Sequence, residues 1–180
     1  MLVPCAQPAF GKKPFASAQQ RLEMLSLTVQ YEGGLSVDDR EIRRGGTTYT
    51  VETLEDLRRE YPDDALVWVM GDDVLGSLQD WHRWERLFEL AHLLVLERSG
   101  RTNLLDGAVS SVIQASECAD VETLCAAPAG RVLYLPDAHP KVSSSAVRSG
   151  VQRDAVPDMV RDYIERTGLY RQQSADETAS

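Results

Sequence analysis

Leu66-Val67-Trp68-Val69-Met70-Gly71-Asp72-Asp73, the opening of the stretch LVWVMGDDVLGSLQDWHRW at residues 66–84, decides the fold. Leu66 to Met70 is a continuous apolar run of strand length, rich in β-branched and aromatic residues. That pattern predicts a strand covered on both faces. Gly71-Asp72-Asp73 stops the run. Acidic residues just past the C-terminal end of a parallel strand lie where open α/β sheets place their ligand crevice. Asp72 or Asp73 therefore suits a ribose hydroxyl or a metal, and the competing reading is that the pair caps the following helix. Trp81-His82-Arg83-Trp84 follows at helical spacing. Trp84 is expected in the core, and Trp81, nearer the loop, is the better flat platform for a planar or cationic ring.

Upstream, Thr50 is expected to cap a helix with Glu52, Glu55 and Asp56 near its start and Arg58 and Arg59 near its end, before Tyr61-Pro62. Its first backbone N–H groups suit a carboxylate or phosphate, although such ends are usually capped without a ligand. Ser17 and Gln20 form a capping-box pattern for a helix over residues 17–30, and Leu35 to Asp38 reads as a short strand. Met1 to Pro4 resembles the end of a strand. Pro8, Gly11 and Pro14 mark a loop, in which Lys12 and Lys13 either face solvent or a phosphate.

Downstream, a helix to Leu90 precedes a strand at Leu93 to Leu96, with Arg98 just beyond its end. One helix is expected over part of 111–124 and a strand at Arg131 to Leu135. After His139-Pro140-Lys141, Ser143, Ser144 and Ser145 open a short helix with Arg148 one turn on, a pattern that suits phosphate and is also commonplace as a simple cap. Pro157 and Gly168 frame a last helix at Asp158 to Thr167, and residues 172–180 read as a disordered tail. The alternation of strand and helix calls for a parallel sheet with helices on both faces.

A chain of 180 residues with 43% hydrophobic and 26% charged residues has the composition of one globular domain with a real core. Its formal charge of -9 argues against nonspecific nucleic-acid binding but not against a local basic pocket for a phosphorylated small molecule. The three cysteines, Cys5, Cys118 and Cys125, are odd in number and lack metal-ligand spacing, which suits reduced thiols. No apolar run approaches membrane length and no signal peptide is visible, so a cytoplasmic protein is expected.

The motifs DDREIRRGGTTYTVETLEDLR at 38–58, VMGDD at 69–73, DWHRWERL at 80–87, AHLLVLERSG at 91–100, VSSSAVR at 142–148 and GLYR at 168–171 run in one order over almost the whole chain. In that succession the chain resembles the bacterial nicotinate-nucleotide adenylyltransferases of the HxGH nucleotidyltransferase superfamily. The resemblance implies a Rossmann-like open parallel sheet over residues 1–171. It also implies transfer of the adenylyl group of ATP to nicotinic acid mononucleotide, giving nicotinic acid adenine dinucleotide and pyrophosphate on the route to NAD. By the same resemblance Asp73 meets the mononucleotide ribose and Trp81 the nicotinate ring, with Tyr49, Thr50 and the backbone at His82 at the pyridine carboxylate. Ser143, Ser144, Ser145 and Arg148 would hold ATP phosphates, Arg98 would border them, and Mg²⁺ would accompany ATP.

The 180 residues depart from the family pattern in two respects, the first being that the family's PPHK or PPHR loop reads Pro8-Ala9-Phe10-Gly11 here, without its basic residue. His82, His92 and His139 are the only histidines, and none has HxGH spacing. The family's glycine-rich GGTFDPxHxGH turn, part of a strand-helix-strand unit of roughly 30 residues, would lie ahead of Met1. Without that unit the central first strand of the sheet is missing, no catalytic residue is assigned, and exposed strand edges are expected to make the chain unstable or prone to aggregate. Two alternatives to the adenylyltransferase reading follow: a non-catalytic remnant that at most binds a nucleotide or a partner chain, or a sister enzyme acting on nicotinamide mononucleotide or phosphopantetheine.

Overall fold

The structure, a computed structural model, describes residues 1–9, 14–30, 32–97, 107–136 and 142–170. The expectations for Lys12, Lys13, Arg98, His139 and the tail at 172–180 lie outside the described residues. The chain divides into two compact units, one of residues 49–140 and one of residues 1–48 with 141–180.

The unit of residues 49–140 is built on three parallel strands, β3 (Val67–Gly71), β4 (His92–Leu96) and β5 (Val132–Leu135), in that spatial order. Trp68, Leu93 and Val132 lie in one register row, and Met70, Val95 and Tyr134 in another. Because side chains alternate across a strand, these two rows share a face. Leu93, Val95 and Val132 are wholly buried there. They pack in one cluster with residues of α3 (Thr50–Glu60), α5 (Trp84–Leu90) and α6 (Ala108–Ser116), each apolar side chain contributing about 2 kcal/mol. The opposite face differs from expectation. Val67 is 40% exposed and Val69 52% exposed, so among the described residues this face of β3 is only partly covered. A continuous apolar run specifies a strand but not how many layers cover it.

Local chemistry explains most element ends. Trp84 is buried and meets Phe88 edge-on at 6.2 Å, as its helical spacing foretold. The single helix expected over 111–124 is two, α6 and α7 (Val121–Cys125), because Asp120 accepts from the Thr123 N–H at 2.7 Å and starts a new helix. Thr50 is the first residue of α3 and not its cap: Tyr49 holds the cap position in extended backbone, with no side-chain cap bond. Asp72 and Asp73 likewise fall inside the first turn of α4 (Asp72–Leu75), where Gly71 is the cap.

The second unit contains β1 (Gln7–Pro8) paired in parallel with β2 (Thr47–Thr48). Leu2 and Val37 form an isolated parallel bridge where a longer strand at Leu35 to Asp38 was expected. Ser17 and Gln20 close the capping box of α1 (Ala18–Val29), each side chain bonded to the other's backbone N–H, at 3.1 and 2.9 Å. Helix α1 packs on α9 (Asp158–Thr167), where the Tyr163 hydroxyl donates to Glu23 at 2.6 Å. Gly168 ends α9 in the left-handed conformation at φ 68°, which glycine adopts without a Cβ penalty. Helix α2 (Arg40–Arg44) and helix α8 (Ser144–Arg148) complete the unit.

Candidate functional site

Within the unit of residues 49–140, the turn before α5 meets the start of α3. The Tyr49 and His82 rings lie 4.6 Å apart at 45°. Tyr49 is half-buried and packs against the core, while His82 is exposed. The Tyr49 side chain makes no cap bond to α3, and while the Glu52 N–H donates to the Tyr49 carbonyl at 3.1 Å, the N–H groups of Thr50 and Val51 and the positive end of the helix dipole face this corner, a setting that suits an anion. Thr50 opens that first turn. Thus Tyr49, Thr50 and His82, all named from sequence, come together around a helix N-terminus.

Residues 81–84 form a tight turn in which the Trp84 N–H donates to the Trp81 carbonyl at 3.2 Å. That bond does not engage the His82 N–H. Arg83, the third residue of the turn, has φ 53°, a region L side chains rarely adopt. Its guanidinium donates to both carboxylate oxygens of Glu55 on α3, at 2.6 and 3.4 Å, and Arg86 approaches the same carboxylate at 3.6 Å. The Arg83 hydrogen bond holds the Glu55 carboxyl below its ordinary range, against a smaller opposing effect of burial. Sequence reasoning missed this cluster. Glu55 and Arg83 stand 28 residues apart, and only the fold brings them together.

Trp81 is half-buried at the end of a 3-10 turn, Leu78–Asp80, and packs against the core. Asp73 is exposed in the first turn of α4, directly after β3. Its neighbour Asp72 is buried.

Ser143, Ser144, Ser145 and Arg148 belong to the other unit. Ser143 caps α8, its hydroxyl accepting from the Ala146 N–H at 3.4 Å, while its own N–H donates to Gln152 Oε1 at 2.9 Å. The three serines are exposed. Arg148 borders a pocket of about 170 Å³ that Arg153, Arg161 and Tyr170 also line, and its buried Nε has no hydrogen-bond partner among the described residues. A buried guanidinium nitrogen without an acceptor suits an incoming anion. Among the described residues no group of three or more His, Cys, Asp or Glu is placed to hold a metal. Nor is any helix among them long and apolar enough to cross a membrane.

Known proteins resemble this chain closely. The cytidylyltransferase-like family model matches residues 1–150. A probable nicotinate-nucleotide adenylyltransferase of Stenotrophomonas maltophilia (strain K279a) is 40% identical, with 94% of this chain and 82% of that protein covered. One of Laribacter hongkongensis (strain HLHK9) is also 40% identical, with 96% and 81% covered. In shape, the chain matches the Plasmodium falciparum nicotinic acid mononucleotide adenylyltransferase complexed with NaAD at a TM-score of 0.62. That match covers 94% of this chain and 80% of the other at 14% identity, and speaks to the fold alone. With the ordered motifs, the parallel sheet and relatives at this identity over nearly its whole length, the chain belongs to the cytidylyltransferase-like family and, within it, to the nicotinate-nucleotide adenylyltransferases.

Proposed function

We propose that this chain, over residues 1–171 as one nucleotidyltransferase-like domain, serves adenylyl transfer from ATP to nicotinic acid mononucleotide in NAD biosynthesis. In that reaction a phosphate oxygen of the mononucleotide attacks the α-phosphorus of ATP. The new P–O bond completes nicotinic acid adenine dinucleotide, and the electron pair of the broken bond leaves with pyrophosphate. No covalent intermediate with the protein is needed, so catalysis rests on positioning and on stabilising charge.

The observation that carries the reading is the corner of Tyr49, His82 and the uncapped start of α3. A pyridine carboxylate has the charge for a helix N-terminus and the flat ring for an aromatic neighbour. In this reading Thr50 N–H and His82 N–H meet the carboxylate, Trp81 stacks on the ring and Asp73 accepts from a ribose hydroxyl. Ser143, Ser144, Ser145 and Arg148 meet the ATP phosphates, and Arg98 borders them. Nucleotidyltransferases commonly use a divalent metal. In this reading Mg²⁺ accompanies ATP and would help neutralise the charge of its phosphates. The reading places the protein in the cytoplasm, with small-molecule substrates and no nucleic-acid partner.

Incubation with ATP, Mg²⁺ and nicotinic acid mononucleotide tests the proposal. The expected products are the dinucleotide and pyrophosphate in equal amounts. The second reading is a nucleotide-binding protein without catalysis. Binding of both substrates with no pyrophosphate released would decide for it.

A further inference from the structure

Arg83 is held in a backbone conformation that suits glycine, and the group that holds it is not part of its own turn. Its φ of 53° falls at the third position of the 81–84 turn, in a left-handed conformation that L side chains disfavour. The arginine reaches across to Glu55, one turn into α3 beyond the first N–H groups of that helix. Both carboxylate oxygens are engaged by Arg83, and Arg86 from α5 supports the same carboxylate. The turn thus carries His82 on one side of Arg83, and the Glu55 contact fixes that turn to the helix whose start Tyr49 and Thr50 occupy.

We propose that Glu55 and Arg83 are a pair of positioning residues that clamp the strained turn to α3 and so hold His82 beside Tyr49 for recognition of the pyridine carboxylate. This rests on the nicotinate reading of that corner. Neither residue touches the substrate. Exposed ion pairs contribute little to global stability, which separates the clamp from an ordinary structural contact. Its effect falls on one ligand.

The test uses the whole chain and titrates nicotinic acid mononucleotide and, separately, ATP, by calorimetry. Glu55→Ala is expected to weaken the mononucleotide roughly tenfold while ATP changes by less than about twofold. Glu55→Asp restores part of the loss. The decisive variant adds Arg83→Gly to Glu55→Ala: glycine adopts the left-handed turn without support, so the double variant binds the mononucleotide more tightly than Glu55→Ala alone. Equal weakening of both ligands by Glu55→Ala, or a double variant no better than the single, overturns the proposal. Should the unaltered chain bind no mononucleotide, the nicotinate reading of the corner fails. Amide exchange at residues 82–84 then still tests the clamp: faster exchange in Glu55→Ala that Arg83→Gly reverses supports it, and unchanged exchange overturns it.

Discussion

His92 fills a buried position at the start of β4 with its ring fully engaged. Its Nδ1 accepts from the Arg131 N–H at 3.0 Å, and its Nε2 lies 2.7 Å from the Ala127 carbonyl. Only a neutral ring with the proton on Nε2 satisfies both contacts. Burial depresses the imidazole from its ordinary 6.5, and Arg58 and Arg131 push the same way, against the Ala127 contact. Below that ordinary value the unfolded chain takes up a proton that the folded chain refuses. Stability is therefore full above pH 6.5 and falls as the pH drops from there toward the depressed value, by at most about 1.4 kcal/mol per pH unit. Urea midpoints between pH 7 and 5.5 check this. His92→Asn should be less stable overall but flat over that window, and an equal slope in both proteins would contradict the assignment. At the proposed binding corner, Trp81→Ala is expected to weaken nicotinic acid mononucleotide about tenfold and leave ATP unchanged, measured by calorimetric titration. Arg148→Ala should do the reverse, about tenfold on ATP alone. Thr50, Trp81 and the serines could be named from sequence because their signals are local, a helix start, a ring beside a loop and a run of hydroxyls, whereas Tyr49 and His82 were named only through the family resemblance. His92, Glu55 and Arg83 could not, because their partners stand 28 to 39 residues away.

Helices α1 and α9 were legible almost to the residue, since a capping box and a Pro-to-Gly frame are written in neighbouring residues. The start of α3 was legible to within one residue, and the division between α6 and α7 was not, because Asp120 interrupts a region without strong periodicity. What holds α3 at its other end is Arg58. Its guanidinium donates to the carbonyls of Tyr61, Pro62, Asp64, Leu90 and Pro128, at 2.7 to 3.2 Å, tying the end of α3 to the segments that lead into β3, β4 and β5. In sequence Arg58 was only a favourable charge near a helix C-terminus. Replacing it with alanine strands several carbonyls at once and is expected to cost about 3 kcal/mol, read as a lowered denaturation midpoint. Lysine keeps the charge but cannot span that fork of acceptors, so Arg58→Lys should recover less than half. Full recovery by lysine would mean that charge alone matters.

At the scale of the molecule, the strand and helix order announced a parallel sheet of this family, but the apolar run of β3 did not reveal that Val67 and Val69 stand exposed. Burial of a face depends on which layer covers it, and a strand's own residues are identical in either case. An exposed valine pair on a strand that stands, among the described residues, at the edge of its sheet favours association between copies. Changing both valines to threonine keeps the strand preference and removes apolar surface, so light scattering at high protein concentration should fall severalfold. Unchanged scattering would place the association elsewhere.

In the proposed function the corner of Tyr49, His82 and the start of α3 reads a pyridine carboxylate. Parallel calorimetric titration with nicotinic acid mononucleotide and nicotinamide mononucleotide tests it most directly, because the two differ only in the group that would meet the helix start. The acid is expected to bind at least about tenfold more tightly, with a preference that shrinks as salt is raised. Equal affinity for acid and amide, or a preference for the amide, would contradict it.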